Sequence, residues 1–98
     1  MLMIVGSITA KPDSIETVKA LLAELCAATR NESECNRYDG HISLDEPNEF
    51  VCVESWESQE AFANHLKQPH VAQRRAASSD HVTTREVEII RVEKIERP

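Results

Sequence analysis

Ile15, Val18, Leu21, Leu22, Leu25 and Thr29 recur at intervals of three and four residues, which puts them on one side of a helix running to about Arg30. No other feature narrows the fold as much, because an amphipathic helix must lay its apolar stripe on a second apolar surface. Asp13 precedes it as a cap, and Glu16 three positions later completes an Asp-x-x-Glu form of the capping box. The surface it needs must come from strands. LMIVGSITA (Leu2 to Ala10) is one. CNRYDGHISL (Cys35 to Leu44) and EFVCVESW (Glu49 to Trp56) flank DEPN, a turn punctuated by Pro47, and read as a hairpin. Ser58 caps a second helix, SQEAFANHLK, which Pro69 ends or kinks. A short helical turn through HVAQRRAAS follows, and HVTTREVEIIRVEKIE closes the chain as a long strand.

The resulting order, β-α-β-β-α-β, predicts an α+β, ferredoxin-like domain over residues 1–98: a four-stranded antiparallel sheet with both helices on one face. Yet Leu2, Ile4 and Ile8 alternate with Met3 and Val5, Phe50 and Cys52 alternate with Val51 and Val53, and Ile89 adjoins Ile90. Two helices cover one side of such a sheet. The other side is expected to meet a second copy, giving a homodimer packed sheet against sheet.

A formal charge of −6 argues against nucleic acid or an anionic membrane as partner. No apolar run approaches the roughly 20 residues that span a bilayer, and the start has no basic n-region. Cys26, Cys35 and Cys52 form no CxxC pair and read as reduced thiols. A cytoplasmic location is expected.

If the hairpin turns at DEPN with Leu44 opposite Glu49, the register places Ser43 across from Phe50, His41 from Cys52, Asp39 from Glu54 and Arg37 from Trp56, all on one face. Tyr38, Gly40, Ile42, Val51 and Val53 then form the other face, suited to a dimer seam. On the second helix Phe62, His65 and Leu66 share a stripe, so His65 would look toward His41, Glu54 and Trp56. A single histidine on an apolar helix face is more often a core residue than a catalyst. Two histidines, two carboxylates and a tryptophan on one wall are more polar chemistry than a small core needs, and they predict a ligand cleft. A metal is not expected there: His65 and His70 are five apart across Pro69, unlike the spacing of HExxH, and no cysteine has zinc-ligand spacing. With only Gly6 and Gly40 there is no Gly-rich nucleotide loop, and no GxSxG signature suggests acyl transfer.

The segments ITAKPD, LLAEL, TRNESEC, YDGH, DEPNEF, VESWES, AFANHL and PH, in that order and spacing, resemble the antibiotic biosynthesis monooxygenase family of small dimeric α+β barrels, from about Ile8 to His70. The resemblance implies a cofactor-independent monooxygenase that converts a small aromatic hydroquinone or anthrone to a quinone with O2. Within that reading His65 is the first choice of base and His41 the second. Glu54 or Asp39 would favour the imidazolium, Asn64 or Trp56 would donate to a phenolate, Phe50, Phe62 and Leu66 would form an apolar wall, and His70 would join the binding residues. A phenol near pKa 10 gives its proton to a histidine near 6.5 uphill by about 3.5 pKa units, roughly 4.8 kcal/mol, so the base needs such help. Other branches of the family degrade haem or isomerise a phosphorylated sugar. The haem ligand position falls on Arg75 and the branch's helix tryptophan on His65, against that activity, whereas Arg30, Arg74 and Arg75 could cradle a phosphate. A non-catalytic dimeric binding module with the same cleft is the alternative of a different class.

Overall fold

The computed structural model describes residues 1–98. Strand β1 (Leu2–Ala10) leads to helix α1 (Ile15–Thr29), the hairpin β2 (Cys35–Ile42) and β3 (Glu49–Trp56), helices α2 (Gln59–Leu66) and α3 (Pro69–Ser78), a 3-10 turn (Ser79–His81) and strand β4 (Val82–Arg91). The strands form one antiparallel sheet in the order β2-β3-β1-β4, the ferredoxin-like arrangement that the element order predicts. No helix is long and apolar enough to cross a membrane.

The face under the helices carries Ile4, Phe50 and Trp56, each 1% exposed, against Val18, Leu22 and Cys26 of α1. Burying each large side chain of this kind contributes about 1.5–3 kcal/mol. α1 comes so close to β2 that a Cβ on Gly40 would stand 3.2 Å from Leu22 Cδ2 and 3.4 Å from Cys26 Sγ. Gly40 therefore admits the helix to the sheet.

Four local expectations are corrected. The Asp13–Glu16 capping box does not form: Ser14 is the N-cap of α1 without a side-chain cap, and its hydroxyl instead bonds Asp13 and His81 Nδ1. Ser58 does cap α2, accepting from the Ala61 amide. Pro69 opens a ten-residue helix at its first turn, where its missing N–H costs nothing, so the expected short turn is a full third helix. The last strand ends at Arg91, with no regular structure through Pro98.

The fourth correction moves every side chain of β2. Ser43 Oγ accepts from the amides of Asp45 and Glu46, so the turn begins one residue early and Ser43, not Leu44, pairs with Glu49. The register becomes Ile42 with Phe50, Gly40 with Cys52 and Tyr38 with Glu54. Side chains alternate with a period of two, so a slip of one turns Tyr38 toward the helices and Arg37, Asp39 and His41 away from them. The open face consists of these residues with Val51, Val53, Met3, Val5, Glu86, Glu88 and Ile90. The seam expected from Tyr38, Gly40 and Ile42 is thus misplaced, although Val51 and Val53 do lie on the open side.

Candidate active site

α2 is a short helix whose buried side is Ala61 and His65, and its Ser58 cap fixes where that side points. His65 is 2% exposed. Its ring lies 4.6 Å from that of Trp56, 5.5 Å from Tyr38 and 6.1 Å from Phe62, centroid to centroid. One ring nitrogen has a charged partner: Nδ1 is 2.8 Å from Oε2 of Glu32, in the loop between α1 and β2. The same oxygen lies 3.0 Å from Nε2 of His70, at the start of α3. An ionised Glu32 accepts from both rings. It thereby fixes the tautomer of His65 with the proton on Nδ1 and the lone pair on Nε2. Burial pushes the His65 pKa down, while the hydrogen bond and charge of Glu32 oppose the shift; the charges of His70 and Arg75 act with burial. The net direction is down, toward a neutral imidazole, the form that accepts a proton.

Glu54 is the second buried titratable group. Its pKa rises to about 7, chiefly through burial, with the charge of Glu32 adding and the Trp56 hydrogen bond opposing. Trp56 Nε1 donates to Glu54 Oε1 at 2.9 Å. A carboxyl poised near neutrality can act as an acid or as a base, and the His65 imidazole in the same cavity wall, shifted the other way, favours accepting a proton. Burial and the Glu54 charge push the Tyr38 phenol upward, so it stays protonated.

His65, Glu54 and Tyr38 line one cavity of about 310 Å³ between the covered sheet face and the helices. Its walls are mostly apolar, with Ile4, Leu21, Leu25, Phe62 and Val87 prominent, and Arg74, Arg75 and Arg85 also border it. Small-molecule sites have this mixture of apolar wall and few convergent polar groups. No helix covers β4 fully: Val87 and Ile89 are about half exposed beside the cavity, as is Leu66.

Of the residues expected at the site, His65, Glu54, Phe62 and Leu66 line this cavity. His41 does not. The register slip puts it on the exposed face beside Val51, and it borders only a separate depression between α1 and β2, shared with Phe50 and Arg30. Asp39 is likewise on the open face, bonded to Arg37 at 2.7 Å and Arg30 at 3.4 Å. Trp56 is walled into the core, and its N–H is engaged by Glu54, so it positions that carboxyl and has no proton left for a phenolate. Asn64 is exposed and outside the cavity lining, and Phe50 is core. His70 stands behind His65, on the far side of Glu32.

The sequence reading missed Glu32, Tyr38 and Arg85. Glu32 had a faint signal, since a carboxylate just past a helix C-terminus meets the negative end of the helix dipole and needs a partner. Its arrival also corrects the spacing argument about metals. Glu32, His65 and His70 hold their ligand atoms within 4.8 Å of one another, a set that could bind one divalent cation.

The model of the antibiotic biosynthesis monooxygenase family matches residues 1–77. The crystal structure of an antibiotic biosynthesis monooxygenase is similar with a TM-score of 0.90 at 26% identity, covering 96% of this chain and all of that one. A Mycobacterium tuberculosis protein, Rv0793, gives 0.91 at 26% identity over 98% of both chains. Protein SO0527 of Shewanella oneidensis gives 0.85 at 30% identity over 91% of this chain and 87% of its own. No curated protein matches the sequence.

Proposed function

Since the chain belongs to the antibiotic biosynthesis monooxygenase family, we propose that it is a cofactor-independent monooxygenase that oxidises a small aromatic hydroquinone or anthrone-like molecule to a quinone with O2. The observation that carries this reading is the buried His65, tied by Nδ1 to Glu32 and set in the wall of an apolar cavity that Glu54 also lines. Nε2 of His65 takes the phenolic or acidic carbon proton of the substrate. The electron-rich anion passes one electron to O2, and the radical pair joins at a ring carbon that carries hydrogen. The resulting peroxide takes a proton from Glu54, which is partly protonated near neutral pH. That carbon then loses its hydrogen as a proton while the O–O bond breaks. One oxygen atom stays as the new carbonyl and the other leaves as water. Glu32 stabilises the imidazolium formed meanwhile, which offsets part of the uphill transfer from a phenol. The apolar walls admit O2 and limit water.

The working unit in this proposal is a homodimer joined through the open face, where Met3, Val5, Val51 and Val53 are only partly covered. The free thiols of Cys26, Cys35 and Cys52 suit a reducing cytoplasm. The test is to mix the protein anaerobically with 1,4-dihydroxynaphthalene or anthrone, admit 18O-labelled O2, and follow oxygen uptake and label in the product. Uptake above the protein-free rate, with one labelled atom per quinone and no loss after EDTA treatment, is expected. Binding without turnover would make the chain a ligand-binding module. Chelator-sensitive turnover would instead give Glu32, His65 and His70 to a metal.

A further inference from the structure

Three arginines border the cavity of a protein whose net charge is −6, and two of them have no carboxylate partner. Arg74 reaches Glu24 at 3.6 Å. Arg85, on the cavity side of β4, bonds only the hydroxyl of Ser78, at 3.2 Å. Arg75, on α3, forms no ion pair, and its positive charge is felt at both Arg85 and His65. The acids of the lining do not neutralise this pair. Glu54 is bonded to Trp56 and keeps its proton in part at neutral pH, and Glu86 belongs to the sheet row of the opposite face. The side chains of Arg75 and Arg85 are both exposed to water at the cavity rim, which solvates them when the cavity is empty, and a planar anion set between them gains charge-assisted hydrogen bonds from both.

Resting on the oxidation reading, we propose that the cavity selects an anionic aromatic substrate: a fused-ring quinol or anthrone that carries a carboxylate. The carboxylate lies on Arg75 and Arg85, and the rings run along Ile89 and Ile4 toward His65. A planar guanidinium matches a planar carboxylate with paired hydrogen bonds. A cavity of about 310 Å³ falls at the small end of ligand sites and suits two or three fused rings. A sugar phosphate shares the charge but not the body. Its hydroxyls would be buried against Ile8, Leu21, Leu25 and Val87 without partners.

Calorimetry on the whole protein at pH 7 separates these ideas with three probes: 2-naphthoate, its neutral isostere 2-naphthamide, and ribose 5-phosphate. 2-Naphthoate is expected to bind at least about 10-fold more tightly than the amide. Arg75→Gln and Arg85→Gln should each weaken 2-naphthoate roughly 10- to 100-fold, the loss of one charged hydrogen bond, and leave 2-naphthamide unchanged. Arg85→Lys should restore part of that affinity, and Arg75, exposed on α3, gives a variant whose folding is not at stake. Equal affinity for acid and amide, equal losses of both in the variants, or ribose 5-phosphate binding ahead of 2-naphthoate would each overturn the proposal. Oxygen uptake with neutral 1,4-dihydroxynaphthalene keeps the two readings apart. Turnover without charge selection removes only the anion site, and charge selection without turnover removes only the oxidation.

Discussion

The two faces of this sheet follow the same two-residue alternation, yet they treat polar residues in opposite ways. On the helix side, Glu54 is buried and answered by the indole of Trp56, and His65 is buried and answered by Glu32. On the open side, Arg37 and Asp39 pair in water, and Glu86 and Glu88 stand exposed along β4 around a band of Met3, Val5, Val51 and Val53. Buried polar groups are costly unless paired, so the helix side holds few of them, each with a specific partner. Charges left in water contribute little to stability. A catalytic group needs the first environment, and an interface between copies needs the apolar band of the second.

The largest expected effect tests whether that division sorts the two histidines. His65→Ala should lower the rate of quinol or anthrone oxidation roughly 10²- to 10⁴-fold. His41→Ala, on the exposed face, should leave it within about twofold. Steady-state oxygen uptake per folded molecule measures both. Comparable losses in the two variants would mean that the faces do not differ in the way their burial suggests, and a large drop in the unfolding midpoint of His65→Ala with normal turnover would make that residue core.

The open face gives the next effect. Val53 lies in its central band, between Val5 and Asp39. In a sheet-to-sheet dimer, Val53→Asp would bury an unpaired charge beside an existing one and should weaken association at least about 100-fold, close to 2.7 kcal/mol. Sedimentation of wild type and variant at micromolar concentration reads this directly, with circular dichroism to verify that the variant is folded. A wild-type monomer, or a variant that stays dimeric, would detach the apolar band from self-association.

The same comparison explains what could be read before the fold was known. Apart from α3, read only as a short turn, element order was legible because α1 and α2 advertised themselves by a stripe and each strand by its branched residues, and these signals are local. Which face of β2 turns inward was not, since it hangs on Ser43 Oγ taking the amides of Asp45 and Glu46 rather than on any periodicity. That single hydroxyl exchanged His41 and Asp39 for Tyr38 in the reading of the site. His65 survived because it depends on the spacing within one helix. Glu32 was out of reach for another reason: it meets His65 across 33 positions of sequence, and only the tertiary fold sets that distance.

The smallest effect concerns the cost that the covered face bears for holding a carboxyl. Glu54 has a folded pKa of about 7 against an ordinary 4.5, mainly because burial disfavours its charge. Between those values the folded chain keeps a proton that the unfolded chain has released. Stability from this residue is therefore complete below pH 4.5 and is lost as pH rises through 7, by roughly 3 kcal/mol in all. Glu54→Gln cannot ionise, and its carbonyl can still accept from Trp56. Urea unfolding at pH 5, 6, 7 and 8, at one protein concentration so that any self-association contributes equally, should show wild type losing ground to the variant over this range. The variant pays about 1 kcal/mol at pH 5 if its new amide N–H group finds no partner, so the two curves are expected to converge or cross on the alkaline side. Parallel curves would mean that Glu54 ionises in the fold as readily as in water. The contrast between the faces would then rest on His65 and Glu32 alone.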